Sequence, residues 1–108
     1  MDRELMKGSI DILLLSLLLD ADRYGYEITK KLRELSDEAY NMNEGTLYPA
    51  LKRLEKKEWV LSYWHQELNG SRRKYYSITE AGKKVLKEKL RHWKQLNQLI
   101  DKTVEGFS

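Results

Sequence analysis

Asn43-Glu-Gly-Thr-Leu-Tyr-Pro-Ala-Leu-Lys-Arg-Leu-Glu-Lys-Lys57 changes period one residue after it ends. Within it, Leu47, Ala50, Leu51 and Leu54 recur at helical spacing and form one apolar stripe. Asn43 suits the cap, with Glu44 beside the positive end of the helix. Pro49 lacks an N–H and is cheap only in an opening turn, so the helix is expected to start between Asn43 and Thr46. Then Trp59-Val-Leu-Ser-Tyr-Trp-His-Gln66 is aromatic and β-branched, as is Lys74-Tyr-Tyr-Ser-Ile-Thr79. Asn69-Gly70 lies between them. Two strand-like runs around an Asn-Gly turn predict a β-hairpin.

Outward from this block the chain reads as helix. Met6, Ile10, Leu13, Leu14, Leu17 and Leu18 recur at three- and four-residue spacing, with Leu15 and Leu19 widening the stripe. Asp20 to Arg23 form a polar break. From Tyr24 a second helix carries Ile28, Leu32 and Leu35 on one face, and Ser36 to Met42 ends the pattern as a polar run. Thr79 caps a long last helix. The order helix, helix, helix, hairpin, helix is that of a winged helix-turn-helix. The expected fold is therefore mainly α with a small β-hairpin. Residues 1–79 form the winged helix-turn-helix unit, and residues 80–108 a C-terminal dimerisation helix.

Composition narrows the classes. The 108 residues, 41% hydrophobic and 34% charged, fit one globular domain. There is no cysteine, which excludes disulfides and thiolate metal sites and fits a cytoplasmic location. The longest apolar stretch, Ile12–Leu19, is far below the ~20 residues of a membrane span. Met1-Asp-Arg-Glu4 is not a basic leader. The net charge of +3 is mild, so the distribution of charge matters more than its sum.

Three features carry functional readings. The third helix exposes Thr46, Tyr48 and Lys52, placed to meet base edges and phosphates if the helix enters a major groove. The same residue types also make an ordinary solvated helix face. The hairpin tip gathers Ser71, Arg72, Arg73 and Lys74, suited to phosphates or a minor groove. It also suits a soluble turn with edge-protecting charges. On the last helix, Leu86, Leu90, Trp93, Asn97, Ile100 and Val104 are spaced four, three, four, three, four, the a/d seam of a dimer. Leu96 and Leu99 widen this stripe, so contact with the first helix is also expected. Trp93 either fills the dimer core or, paired with its copy, makes a slot for a flat ligand.

Signals for catalysis are poor. His65 and His92 are far apart and have no partners at metal-ligand spacing. No nucleophile elbow, P-loop or GxGxxG run occurs. No enzyme, cofactor or metal is expected.

The runs Tyr24-Gly-Tyr-Glu-Ile28, Glu44-Gly-Thr-Leu-Tyr-Pro-Ala-Leu-Lys-Arg-Leu-Glu55, Arg72-Arg-Lys-Tyr-Tyr76 and Ile78-Thr-Glu-Ala-Gly82 resemble the PadR family of bacterial transcriptional regulators. The single last helix resembles its compact branch. The resemblance implies a homodimeric repressor on a palindromic DNA operator. Thr46, Tyr48 and Lys52 would lie on the recognition helix, and Ser71, Arg72, Arg73 and Lys74 on the wing. Gly45, Tyr48 and Pro49 could instead shape the helix start. A multidrug-sensing branch carries a tryptophan matching Trp93 and a run like Ser62-Tyr-Trp64. That similarity implies a pocket for a small aromatic or drug-like effector, lined by Ile12, Ser16, Leu86, Leu90, Trp93 and Asn97. Glu58 departs from the family, in which many members have glycine there. A regulator without a small-molecule pocket, and a winged-helix adaptor that binds protein, are the alternatives.

Overall fold

The computed structural model describes residues 2–107. In chain order the elements are α1 (Arg3–Leu17), β1 (Arg23–Tyr24), α2 (Gly25–Leu35), α3 (Glu44–Lys56), β2 (Val60–Gln66), β3 (Arg72–Ile78) and α4 (Glu80–Thr103). This is the expected winged helix-turn-helix with one addition. β1 pairs antiparallel with β3, Arg23 opposite Tyr76 and Tyr24 opposite Tyr75, so the hairpin becomes a three-stranded sheet of order β1-β3-β2.

Each helix starts on a side-chain cap. The Asp2 carboxylate accepts from the N–H groups of Glu4 and Leu5 at 2.9 and 3.1 Å. Glu27 reaches back to the Tyr24 N–H at 3.2 Å. Asn43 accepts from Thr46 N–H at 2.9 Å, and Thr79 Oγ1 from Gly82 N–H at 3.0 Å. These bonds satisfy amides that have no partner inside the helix. Pro49 falls in the second turn of α3, later than expected, so the Gly45 carbonyl lacks its usual N–H donor.

α2 and α3 also stop alike. At the end of α3, Glu58 N–H donates to Glu55 O at 2.9 Å and Trp59 N–H to Leu54 O at 3.0 Å, with Glu58 at φ 63°. At the end of α2, Asp37 N–H donates to Glu34 O at 3.2 Å and Glu38 N–H to Arg33 O at 2.8 Å, with Asp37 at φ 51°. Both are Schellman motifs, whose left-handed residue is normally glycine. A glycine at position 58, as the resemblance implies, would have a conformational reason, and Glu58 meets the same geometry under strain.

The core joins α1, α2, α3, β2 and the start of α4. Leu14, Leu15, Leu18, Ile28, Leu47, Leu51, Leu54 and Val60 are fully buried, each contributing about 1.5–3 kcal/mol. Three expected faces differ. Leu19 is exposed, because α1 has ended by Leu17. Leu35 is exposed, because the last turn of α2 overruns the core. Met42, in the polar run, is buried with the core leucines.

α4 is buried only in its first turns, at Gly82 and Leu86. Gly82 sits so close to the Trp59 carbonyl that a Cβ there would collide with it. Leu86 is buried, but every residue from Leu90 to Phe107 is exposed. The helix therefore projects from the body, and the molecule measures 60 × 30 × 22 Å. Among the described residues no helix is long and apolar enough to cross a membrane.

Candidate nucleic-acid interface

The buried stripe of α3 fixes which of its residues face outward. With Leu47, Ala50, Leu51 and Leu54 in the core, Tyr48, Lys52 and Lys56 are exposed. The Tyr48 phenol lies directly over Gly25, the first residue of α2, and a Cβ at Gly25 would occupy the space of the ring edge. Tyr48 is thereby held against the body of the domain while the residue remains 44% exposed. Thr46 lies half-buried in the opening turn.

Strand alternation arranges the wing. Val60, Ser62, Trp64 and Gln66 stand opposite Ile78, Tyr76, Lys74 and Arg72. Cross-strand partners share a face, and Val60 and Tyr76 are buried, so this face turns toward α3. Ser62 Oγ donates to Glu55 Oε2 at 2.7 Å, tying β2 to α3. Tyr48, Lys52, Glu55, Lys56, Lys74 and Tyr76 consequently line one open groove between helix and wing. It carries three lysines and one carboxylate.

The tip is a tight loop. Glu67 N–H donates to Ser71 O at 2.7 Å, and Asn69 Oδ1 accepts from Ser71 N–H and Oγ at 3.0 and 2.7 Å. Beyond it the two arginines part. Arg72 is on the face toward α3, its guanidinium 5.2 Å from the Trp64 ring centroid. Arg73 is on the opposite face, 4.6 Å over the Tyr24 ring, with its Nε 3.9 Å from Glu67. Of the seven DNA-contact candidates, the structure brings Tyr48, Lys52 and Lys74 into one groove, while Thr46 lines a separate cavity with Met6, Ile10 and Tyr40. Ser71 and Arg72 lie at the outer end of the groove, and Arg73 faces away.

That opposite face holds a tyrosine cluster. Tyr75 stacks with Tyr63 at 5.8 Å and meets Tyr24 edge-on at 5.4 Å. Tyr75 Oη donates to Glu67 at 2.9 Å, and Tyr63 Oη to Asp22 at 2.6 Å. Each bond stabilises the neutral phenol, so both pKa values rise, that of Tyr75 to about 12. Tyr76 is raised as well, first by burial.

The effector candidates separate. Ile12 and Trp93 line one cavity of about 380 Å³, together with Lys7, Gly8, Asp11, Arg53, Lys89, His92 and Leu96. Leu86, expected both on the seam and in the pocket, is 2% exposed and belongs to the core of its own chain. Leu90 faces a different surface, beside Lys84, Lys87 and Arg91. Ser16 Oγ donates to Leu13 O, and Asn97 is exposed farther along α4. The charged lining was not foreseen, since Asp11 and Arg53 are 42 residues apart and signal nothing jointly. Among the described residues no group of three or more His, Asp or Glu side chains could hold a metal.

Fold and groove together define a winged helix-turn-helix protein. Residues 14–88 match the model of the transcriptional regulator PadR-like family, and the chain belongs to that family. It is similar to a transcriptional regulator from Clostridium thermocellum, at 41% identity and a TM-score of 0.88, over 96% of this chain and 98% of that one. A PadR family transcription regulator from Clostridium difficile is also 41% identical, with a TM-score of 0.79 over 90% and 99% of the two chains. The transcriptional regulator Rv3488 of Mycobacterium tuberculosis is 32% identical over 94 residues, 87% of this chain and 84% of that protein. Membership places the chain among transcriptional regulators, not enzymes.

Proposed function

We propose that this protein is a homodimeric transcriptional repressor, with α3 in the major groove and the wing on the flanking backbone or minor groove. The observation that carries the reading is the groove in which Lys52 and Lys56 of α3 and Lys74 of the wing converge around Tyr48. Separate elements bringing ammonium groups to one concave face suit a polyphosphate backbone. Tyr48, held on Gly25, and Thr46 stand where base edges are read. Residues 1–79 act as the reading unit and residues 80–108 as the dimerisation helix. A second copy covers the exposed face of α4 that includes Leu90, Trp93, Ile100 and Val104. Pairing sets the reading heads for half-sites about 34–36 Å apart.

Mobility shift with the DNA upstream of the protein's own gene tests this. Sequence-preferring binding that weakens steeply with salt is expected. No such binding at any upstream palindrome overturns the reading, and a stable dimer that ignores DNA favours a protein-binding adaptor.

A small aromatic effector is the second part of the reading. The Trp93 cavity supports it, because that cavity also touches Arg53 on the recognition helix. A ligand there induces only if it binds the DNA-competent and DNA-incompetent states unequally. Quenching of Trp93 fluorescence by phenolic or planar cationic compounds, lost in Trp93→Ala, is the expected result. Quenching that persists in Trp93→Ala points to Trp59 or Trp64 instead.

A further inference from the structure

Resting on the DNA-binding reading above, we propose that the adjacent wing arginines have separate tasks, and that Trp64 is the positioning residue that makes Arg72 the DNA contact. Strand register sorts the two side chains to opposite faces, so one duplex lying along the α3 groove meets only one of them. Arg73 is already engaged by its own chain. Its guanidinium lies over Tyr24 with Glu67 beside it, and β1 holds Tyr24 in place by pairing with β3. This joins the wing to the start of α2.

Arg72 has the opposite surroundings. Among the described residues no carboxylate lies within 4.0 Å of it, and its one partner is the Trp64 ring at 5.2 Å. Trp64 is 58% exposed and stands opposite Lys74, on the face that Ser62 ties to α3. An exposed indole at this place gains little from burial. It does restrict the Arg72 rotamers without neutralising the charge, and so lowers the entropy lost when the guanidinium is fixed on a phosphate or in a minor groove. The one carboxylate lining the groove, Glu55, is hydrogen-bonded by Ser62 and is not paired with Arg72.

The test is the salt dependence of binding by the full chain to a mixed-sequence DNA duplex between about 50 and about 200 mM salt. Arg72→Ala lowers the slope by about one ion per wing, whereas Arg73→Ala leaves the slope unchanged and lowers the melting temperature. Trp64→Ala weakens binding about two- to fivefold. It does so only while Arg72 is present, and Trp64→Phe restores most of the loss. Equal slope losses from Arg72→Ala and Arg73→Ala overturn the division of tasks. A Trp64→Ala effect of the same size in the Arg72→Ala background overturns the positioning role. If the unsubstituted chain binds no duplex at any salt, the DNA-binding reading itself is overturned.

Discussion

Arg53 Nη2 lies 2.5 Å from Asp11 Oδ1, which ties the C-terminal half of α3 to the middle of α1. Among the described residues its neighbour Lys52 has no such partner, and it lines the groove. Two adjacent cations on one helix are thus assigned to different surfaces. The expected outcome is a split: Lys52→Ala lowers the salt slope of DNA binding by about one, and Arg53→Ala does not. The side chains are 47% and 21% exposed, so solvent screens the pair, and breaking it destabilises the fold by about 1 kcal/mol. Urea unfolding of Asp11→Ala, Arg53→Ala and the double variant should give less than the sum of the single losses.

Glu58→Gly should stabilise the protein. At φ 63° the present residue pays for a side chain in the left-handed region, and glycine removes that strain while adding freedom to the unfolded chain. The net gain is about 0.5–1 kcal/mol, read as a higher denaturation midpoint at an unchanged m-value. Asp37→Gly should act in the same direction. A lower midpoint in both variants would show that neither residue is strained.

Gly82→Ala and Gly25→Ala both crowd a neighbour, but with different results. At Gly82 the obstacle is the Trp59 carbonyl, fixed by the Thr79 N–H at 3.0 Å, so the docking of α4 must shift. A loss of about 1–3 kcal/mol is expected, measured as a drop in melting temperature. At Gly25 the obstacle is the far end of the Tyr48 side chain, which can rotate away. The melting temperature should change little there, while the sequence preference of DNA binding relaxes as it does in Tyr48→Ala.

Tyr75 should ionise late. Its hydrogen bond to Glu67 favours the neutral phenol and raises its pKa from 10.0 to about 12. The folded state therefore binds this proton more tightly than the unfolded state does. The associated stability is complete below about pH 10 and is lost as pH climbs through about 12. Spectrophotometric titration should show a last tyrosinate step that is missing in Tyr75→Phe. A Tyr75→Phe curve that keeps this step would reassign it to another phenol.

Much of this arrangement was legible in the residues. Asn43 and Thr79 announced their helices because a capping side chain is a local signal, and Asn69-Gly70 announced the hairpin for the same reason. What depends on register or on distant neighbours was not. β1 is two residues long, too short to show alternation, and exists only because β3 lies beside it. The opposite aims of Arg72 and Arg73 follow from β3 beginning at Arg72, not at Lys74 as the apolar pattern suggested. Met42 is buried by its partners, not by its sequence surroundings. The exposed part of the α4 apolar stripe begins at Leu90, not Leu86, because Leu86 is drawn into the core of its own chain.

The free length of α4 has one further consequence. From Leu90 onward no residue of this helix is buried, so under the proposed pairing its order depends on how many copies of the chain are present. Dilution would loosen it and abundance would firm it. The cellular amount of this regulator then becomes part of its own stability, and a small change in expression alters both the number of molecules and the fraction of them fit to act.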